Sequence, residues 1–266
     1  MKTVQLSALW ALGLLIVLSA SPSVAGSTQY NQQLFHEPDK IIRFAKKVEK
    51  TLAEHGARVA LVARVGRPRD KLPQAVLYTH VGIAIYSHIT TEDGRKIPGY
   101  AFYNLYQRPD KPDRSELVQD FAVDFFSGAQ LLEAGVILLN PELQKRVLDL
   151  VREQGLEKLH VEEYSAIANP FTSQYQNCTE HTLDVIIAAL YQTTDVPTIK
   201  DRIRSYFVAQ PLEISPFTLF AGSVFTSEIA ASDHSGPPAT ATFSTIADFL
   251  LKYQLADTVL AVTLDT

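Results

Sequence analysis

Residues 78–107, YTHVGIAIYSHITTEDGRKIPGYAFYNLYQ, contain two segments rich in β-branched and aromatic residues on either side of a polar turn. The segments are 78–87 and 99–107, and the Asp93-Gly94 pair between them is a typical hairpin signal. We therefore predict an antiparallel hairpin here. Elsewhere helices and strands are mixed without regular βαβ alternation, which predicts an α+β fold rather than a Rossmann sheet.

Hydrophobic periodicity and helix-end signals predict the other elements. The predicted helices cover residues 39–55, 113–126, 141–154, 178–191, 197–208 and 244–255. The predicted strands cover residues 58–65, 135–139, 159–164 and 258–264.

Composition limits the classes of protein to which the chain can belong. Its 266 residues are 46% hydrophobic and 20% charged, which is enough apolar material for a packed core. Lys and Arg number 24 against 29 Asp and Glu, a net charge of −5. That mild acidity argues against nucleic acid as a partner, because binding phosphates requires a basic surface. No apolar run reaches the roughly 18 residues of a membrane span.

The first 25 residues have the pattern of a secretory signal peptide. Lys2 provides the positive charge, residues 8–18 form the apolar stretch, and Ser23-Val24-Ala25 is a small-x-small cleavage site. The alternative is an uncleaved anchor. Cleavage before Gly26 predicts an exported chain with one α+β domain over residues 26–266 and no transmembrane anchor. In a bacterium with two membranes its compartment is the periplasm.

Cys178, the only cysteine in the chain, is the first candidate for chemistry. A single cysteine excludes an intrachain disulfide framework and a Cys-rich metal site. Asn177 is a good N-cap residue, and Glu180 three positions later can complete a capping box. Cys178 is then the first residue of a helix, where free N–H groups and the helix dipole favour a thiolate. The alternative is a buried, inert cysteine.

A nucleophilic thiol needs a base, and His80 is the best candidate because it opens an otherwise apolar strand. Its face continues with Gly82 and Ala84, whose small side chains allow the helix that carries Cys178 to approach. The alternative is a strand-end histidine that points to solvent. His36, His55, His88, His160 and His234 lie in polar or terminal positions and are expected to be solvated.

The group that orients His80 depends on the register of the hairpin, which sequence does not fix. An even loop places Leu105 or Gln107 opposite His80, whereas one more loop residue places Asn104 and Tyr106 there. Asn104 is the best candidate because it is polar within the apolar segment AFYNLY; the alternative is that it faces solvent. Gln174 and Gln176 are further candidates as oxyanion donors or as ordinary loop residues.

These residues resemble a known pattern. A strand carries His-Val-Gly-Ile at 80–83, a second strand carries the polar Asn104, and Asn177-Cys178 opens a helix that continues with Glu180 and His181. The chain thus resembles the circularly permuted branch of the NlpC-type papain-like superfamily, which contains the lecithin:retinol acyltransferase-like proteins and exported bacterial families.

The resemblance spans residues 58–191 and implies a papain-like α+β fold in which an antiparallel sheet packs against the cysteine-bearing helix. It implies Cys178 as nucleophile, His80 as base and Asn104 as the orienting residue. Two departures weaken the substrate assignment: Thr179 separates the cysteine from the acidic residue, and the acyltransferases have a second histidine at the position of Asn104.

The sequence therefore predicts an exported cysteine hydrolase or acyltransferase that needs no metal or cofactor. Its substrate is a small molecule, peptide or lipid with an amide or ester bond, and cell-wall peptide is one example. A non-catalytic binding or assembly protein is the alternative. A metal site made of His80, Glu180 and His181 matches no ligand template well. Residues 192–266 either cap the cleft or complete the sheet.

Overall fold

The computed structural model describes residues 34–72, 76–90, 94–213 and 229–264. The signal peptide and cleavage site predicted for residues 1–25 lie outside these ranges. Within them, no helix has both the length and the apolar character needed to cross a bilayer.

An antiparallel six-stranded sheet forms the centre of the described structure. Its strands are β1 (Val59–Val65), β2 (His80–Thr90), β3 (Lys96–Gln107), β4 (Ser115–Phe121), β5 (Leu131–Leu139) and β8 (Ala256–Thr263), and β6 (Gln210–Pro211) and β7 (Ala239–Thr240) form a separate two-stranded ribbon. The order across the sheet is β4-β3-β2-β1-β5-β8. The predicted hairpin is confirmed as β2 and β3, paired from Ile83↔Tyr103 to Thr90↔Lys96.

Helices cover both faces of the sheet. They are α1 (Pro38–Glu54), α2 (Ala122–Ser127), α3 (Pro141–Arg152), α4 (Gly155–Lys158), α5 (Cys178–Tyr191), α6 (Val196–Tyr206) and α7 (Phe243–Lys252). On one face α1 and α2 pack over Ala84 and Phe102. On the other face α3, α5, α6 and α7 pack over the branched side chains of β1 and β2. The structure confirms an α+β arrangement in which an antiparallel sheet packs against the helix that begins with Cys178.

Helix α5 lies deepest in the fold. Every residue from Cys178 to Ala189 is buried, because the sheet lies on one side of α5 while α3 and α6 contact it from others. Its core side chains pack with Val81, Ile83 and Ile85. Burial of such apolar side chains stabilises the fold by about 25 cal/mol per Å² removed from water.

Two predicted elements are wrong. Residues 113–126 form strand β4 followed by the short α2 instead of one helix, because β4 pairs with β3 along its whole length and this pairing overrides the local pattern. Residues 159–164 form no strand. Only isolated bridges, Arg114↔Glu163 and Tyr164↔Gln176, involve this segment.

The C-terminal part of the chain completes the sheet. Strand β8 pairs with β5 from Glu133↔Thr263 to Leu139↔Ala256 and forms the sixth strand. The alternative role also has support, because residues 240–242 border a cavity beside Cys178. The structure thus confirms that part of residues 192–266 completes the sheet, and the role of a cap stays a prediction.

Candidate active site

Cys178 is the first residue of α5, as predicted. The Oδ1 atom of Asn177 accepts the N–H of Glu180 at 2.9 Å, which confirms the N-cap. The capping box is wrong, because the Glu180 carboxylate does not return to the cap and instead binds Lys200 at 2.8 Å. The side chain of Cys178 is 7% exposed, and it borders a cavity rather than the open surface.

Backbone N–H groups converge on the Cys178 sulfur. Those of Val81, Thr179 and Cys178 itself lie close enough to Sγ to favour the thiolate, and they lower the pKa of the thiol. Burial acts in the opposite direction and is the larger effect, so the pKa lies above its ordinary value of 9.0. The helix start therefore lowers this pKa as expected, but burial outweighs that effect in the resting site. The same N–H groups are suited to hold an oxyanion once charge develops.

The backbone N–H of Val81 is not used in the β2–β3 ladder, because that ladder ends at Ile83 and does not reach Val81. The register between β2 and β3 begins at Ile83↔Tyr103, two residues beyond Val81. N–H groups alternate between the two neighbours of a strand. Tyr86 donates to Arg58 O on the β1 side, so the N–H groups of Ile83 and Val81 point toward the β3 side. With no β3 partner in the ladder, the N–H of Val81 is placed to favour the Cys178 thiolate, and it lowers the pKa of the thiol.

His80 lies beside this donor with its ring fully buried. Its ring stacks on Tyr106 with centroids 4.7 Å apart, and Nε2 lies 3.1 Å from Oδ1 of Asn104. The Asn104 amide is oriented by its Nδ2, which donates to Phe102 O at 3.1 Å and to Asp120 Oδ2 at 3.3 Å. Oδ1 must then accept, so the hydrogen-bond network assigns the proton to Nε2 and the lone pair to Nδ1 in the neutral ring.

The register between β2 and β3 agrees with the second alternative from the sequence, in which the hairpin loop has one more residue. Asn104 and Tyr106 lie next to His80, as that alternative requires. Leu105 is in the core, and the Gln107 amide donates to Pro112 O at 2.8 Å. Asn104 is 2% exposed, so the solvent-facing interpretation of this residue is wrong.

The approach of α5 to His80 differs from the prediction. The face of Gly82 and Ala84 does not receive α5, which packs on the opposite, branched face. A Cβ atom at Gly82 would clash with Asn104 Oδ1 and lie 3.1 Å from Phe125 Cε2, so the glycine makes room for the amide and for α2. The start of α5 reaches the neighbourhood of His80 along the strand, through the Val81 N–H.

Two charged residues complete the site and were missed. Asp120 is buried, and its Oδ2 accepts the Tyr106 hydroxyl at 2.7 Å. Arg64 is 3% exposed, pairs across the sheet with His80, and donates to Phe125 O. Asp120 was missed because residues 113–126 were predicted to form a helix, whereas Asp120 lies in strand β4. Arg64 carried a signal, since a cation within the apolar segment ARVALVARV is unusual.

These surroundings set the charge of His80. Burial lowers the pKa of its ring well below 6.5, the positive charge of Arg64 lowers it further, and the bond to Asn104 opposes both. At neutral pH the resting site therefore holds a neutral imidazole and a neutral thiol. The two pKa shifts therefore argue against a preformed thiolate-imidazolium pair.

The other candidate residues serve structural roles. Gln176 donates to Leu159 O at 3.1 Å and to Asp184 Oδ2 at 2.9 Å, while Gln174 donates to Ser232 Oγ. Neither makes the contact expected of an oxyanion donor. Four of the five histidines predicted to be solvated make side-chain hydrogen bonds. The partners are Gln130 O for His36, Thr51 O for His55, Ser115 Oγ for His160 and Ile167 O for His234.

The metal interpretation fails on geometry. Glu180 binds Lys200, and His181 Nε2 lies 3.3 Å from Leu156 O, so neither side chain is directed at His80. Across the described ranges, no three His, Cys, Asp or Glu side chains form a group able to hold a metal ion.

A buried ionic cluster anchors the first turns of α5. Lys200 Nζ lies 2.8 Å from both Glu180 Oε1 and Asp184 Oδ1. Burial raises the pKa of Glu180 well above its ordinary value and that of Asp184 in the same direction, and Lys200 opposes both shifts. The cluster fixes the helix end that presents Cys178.

A cavity of about 240 Å³ opens onto Cys178. Aliphatic and aromatic side chains dominate its lining, and Arg67 is its one charged lining residue among those described. The lining consists of Arg67, Leu72, Val76, Tyr78, Thr79, Tyr164, Ala166, Ile167, Asn177, Cys178, Thr179, Leu212, Ile229, Thr240, Ala241 and Thr242.

The raised thiol pKa predicts how the resting protein reacts with iodoacetamide. Only the thiolate is alkylated, so the rate should rise with pH and show its inflection above pH 9.0. At pH 7 the folded protein should react more slowly than the same chain unfolded in urea, which is the matched control. Intact-mass spectrometry measures both rates at the single cysteine. An inflection below pH 8 would contradict the dominance of burial.

Among the comparisons with known proteins, one finds a match to a protein-family model. A family model described as "Uncharacterized protein conserved in bacteria (DUF2145)" matches residues 51–250, more than half of the chain. The matched region contains His80, Asn104 and Cys178. No curated protein and no solved structure matches the chain.

Proposed function

The chain belongs to this family of uncharacterised bacterial proteins, and we propose that it is a cysteine-dependent hydrolase or acyltransferase. Cys178 is the nucleophile, His80 the base, and Asn104 the residue that orients the base. The substrate is an amide or ester, and the intermediate is a thioester. The signal-peptide pattern of residues 1–25 supports export to the periplasm.

One observation carries the proposal. The backbone N–H of Val81, the residue that follows His80, lies near enough to the sulfur of Cys178 to lower the pKa of the thiol. Adjacent Cα atoms are only about 3.8 Å apart, so the thiol lies near the backbone of His80. Tyr106, on which the His80 ring stacks, is also within electrostatic reach of Cys178. The ring is held by Asn104, whose amide is in turn held by Asp120. All three residues are buried, which supports assigning them the roles of nucleophile, base and orienting group.

The chemistry follows from the assigned protons. Nδ1 of His80 accepts the thiol proton as sulfur forms a bond to the acyl carbon, and the carbonyl electron pair moves to oxygen. The N–H groups at the start of α5 stabilise that oxyanion. The carbonyl re-forms as the leaving group departs with the proton from His80. Water, or another acceptor, then attacks the thioester, the C–S bond breaks, and sulfur regains a proton.

The proposed superfamily is the circularly permuted NlpC-type branch of the papain-like proteins. Its support is the order of His80 before Cys178, the antiparallel sheet, and the helix that begins at the cysteine. The packing of α5 on the branched face of β2 differs from the approach that the sequence predicted.

A non-catalytic binding protein is the second candidate. The observation that favours it is the resting thiol, which is 7% exposed and has a raised pKa. Inert cysteines share both properties.

Cys178→Ala separates the two candidates. With p-nitrophenyl acetate, the wild type should release p-nitrophenol and carry an acyl group on Cys178 in intact-mass spectra. The variant should do neither, while its free energy of unfolding in urea changes by no more than about 1 kcal/mol. Unchanged hydrolysis in the variant, or wild-type protein without a thioester, would favour the binding protein.

A further inference from the structure

Arg64 lies directly opposite His80 in the central sheet. The two residues are paired across β1 and β2, and directly opposite residues of neighbouring strands place their side chains on the same face. Arg64 is 3% exposed and His80 is fully buried. The guanidinium and the imidazole are therefore neighbours inside the fold.

Both side chains contact the same two aromatic rings. Arg64 Cζ lies 5.6 Å from the ring centroid of Tyr106 and 5.2 Å from that of Phe125. The centroid of the His80 ring lies 4.7 Å from Tyr106 and 5.5 Å from Phe125. A cation within about 6 Å of a ring face is attracted by the ring. The shared rings thus restrict how far the guanidinium and the imidazole can move apart.

Helix α2 and its C-terminal end hold the guanidinium from the other side. Nη1 of Arg64 donates to Phe125 O. A Cβ atom at Gly128 would lie only 2.8 Å from the same nitrogen, so the glycine makes room for the arginine. Nε is buried and has no hydrogen-bond partner among the described residues. A buried donor without a partner costs stability, so stability alone does not explain a cation at this position.

The charge of Arg64 acts on both reacting groups. It lowers the pKa of the Cys178 thiol, which favours the thiolate. It also lowers the pKa of His80, which disfavours the imidazolium. After burial, Arg64 is the largest influence on the pKa of that ring.

The other polar groups described around the ring come from β3 and β4. Asn104 binds the ring and raises the pKa of His80, but by less than Arg64 lowers it. Tyr106 keeps its proton at neutral pH, because burial raises the pKa of its hydroxyl far above the ordinary value. Asp120 contacts the Asn104 amide and the Tyr106 hydroxyl. The field of Arg64 is thus the largest charge effect on His80.

We propose that Arg64 is a positioning residue of this site, which holds a fixed positive charge beside His80 and Cys178 and thereby favours an anionic sulfur and a neutral ring. The catalytic consequence rests on the proposed function. When Cys178 attacks, its proton passes to His80, and the neighbouring cation makes the resulting imidazolium a stronger acid. The imidazolium then returns the proton readily to the leaving group. Leaving groups that need a proton should therefore depend most on Arg64.

Alkylation of Cys178 tests the effect on sulfur without catalysis. Arg64→Met removes the charge and suits the two neighbouring rings. At pH 8 it should lower the rate of reaction with iodoacetamide by about threefold to tenfold, because less of the thiol is ionised. Arg64→Gln, which keeps a donor for Phe125 O, should have the same effect. Circular dichroism identifies the folded variants, and either one decides the test.

Two controls separate the charge from the packing of the side chain. Arg64→Lys keeps the charge and should react within about twofold of the wild-type rate. Arg146→Gln should also keep that rate, since Arg146 likewise donates to a backbone carbonyl, Leu190 O at 2.7 Å, but lies elsewhere in the fold. Unchanged alkylation in a folded charge-free variant, or an equal loss in Arg64→Lys, would overturn the proposal.

Two acetate esters test the effect on the ring. Ethyl acetate loses an alkoxide that needs the proton of His80, whereas p-nitrophenyl acetate loses a stable phenolate. Arg64→Met should lower kcat/KM for ethyl acetate relative to p-nitrophenyl acetate by about threefold to tenfold, and Arg64→Lys should restore the ratio. An unchanged ratio would overturn the role in proton return. Wild-type protein that hydrolyses neither ester would remove the proposed function and leave the alkylation result standing, whereas hydrolysis without an effect of Arg64 on alkylation would do the reverse.

Discussion

Replacing Lys200 with methionine should lower the free energy of unfolding by about 3–5 kcal/mol at pH 7. Lys200 is 3% exposed and binds Glu180 and Asp184, both of which are buried. Methionine keeps much of the volume but removes the cation, and two carboxyl groups are then buried without their counter-ion. Urea unfolding followed by circular dichroism measures the loss.

The sign of the pH dependence follows from the raised pKa values of these carboxyl groups. In the Lys200→Met protein the folded pKa values of Glu180 and Asp184 should rise further, because Lys200 lowers both in the native chain. An acid with a raised folded pKa destabilises the fold where the unfolded chain is ionised, and the penalty disappears as pH falls below the unfolded value. The deficit should therefore shrink between pH 7 and pH 4.

Two further variants test the interpretation. Lys145→Met removes an exposed lysine paired with Asp149 at 2.9 Å, and it should leave the free energy of unfolding nearly unchanged because solvent screens the pair. Glu180→Gln should cost little if Glu180 is largely protonated in the fold, because the amide is neutral and nearly isosteric. A deficit below about 1 kcal/mol for Lys200→Met, or one that grows toward pH 4, would contradict the role of the cluster.

Local signals in the sequence were sufficient for the elements that carry the site. The hairpin follows from β-branched segments around Asp93-Gly94, and the N-cap of α5 follows from Asn177. Both depend on neighbours in the chain, and the structure confirms both. The sequence left open whether Asn104 or its neighbours in β3 lie opposite His80. The reason is that one additional residue in the hairpin loop turns every side chain of β3 to the other face of the sheet.

The features of the site that the sequence did not predict depend on packing between residues that are distant in the chain. The helix dipole at Cys178 is a local effect, whereas the burial that outweighs it depends on the sheet and on helices distant in sequence. Asp120 joined the site only because β4 pairs with β3, a contact that helical periodicity did not predict. Likewise, the face on which α5 packs depends on where its apolar surface finds branched partners, and Val81 and Ile83 provide them.

Replacing His80 with glutamine should lower kcat/KM for ester hydrolysis by about 10² to 10⁴, the usual contribution of a positioned general base. Glutamine keeps a donor for Asn104 Oδ1 but has no basic nitrogen. His160→Gln is the matched control, because this half-buried histidine pairs with Ser115 away from the described contacts of Cys178. It should retain wild-type kinetics.

The rate of alkylation distinguishes a base from a group that merely tunes the thiol. Since the pKa of His80 lies well below 6.5, the ring is neutral near pH 7 and gives the thiolate no ion pair. Its loss should therefore leave the pH profile of iodoacetamide alkylation at Cys178 nearly unchanged while hydrolysis falls. If alkylation and hydrolysis fell together by the same factor, His80 would act by stabilising the thiolate. If neither changed, the base would have to be another group, and the assignment of His80 would be wrong.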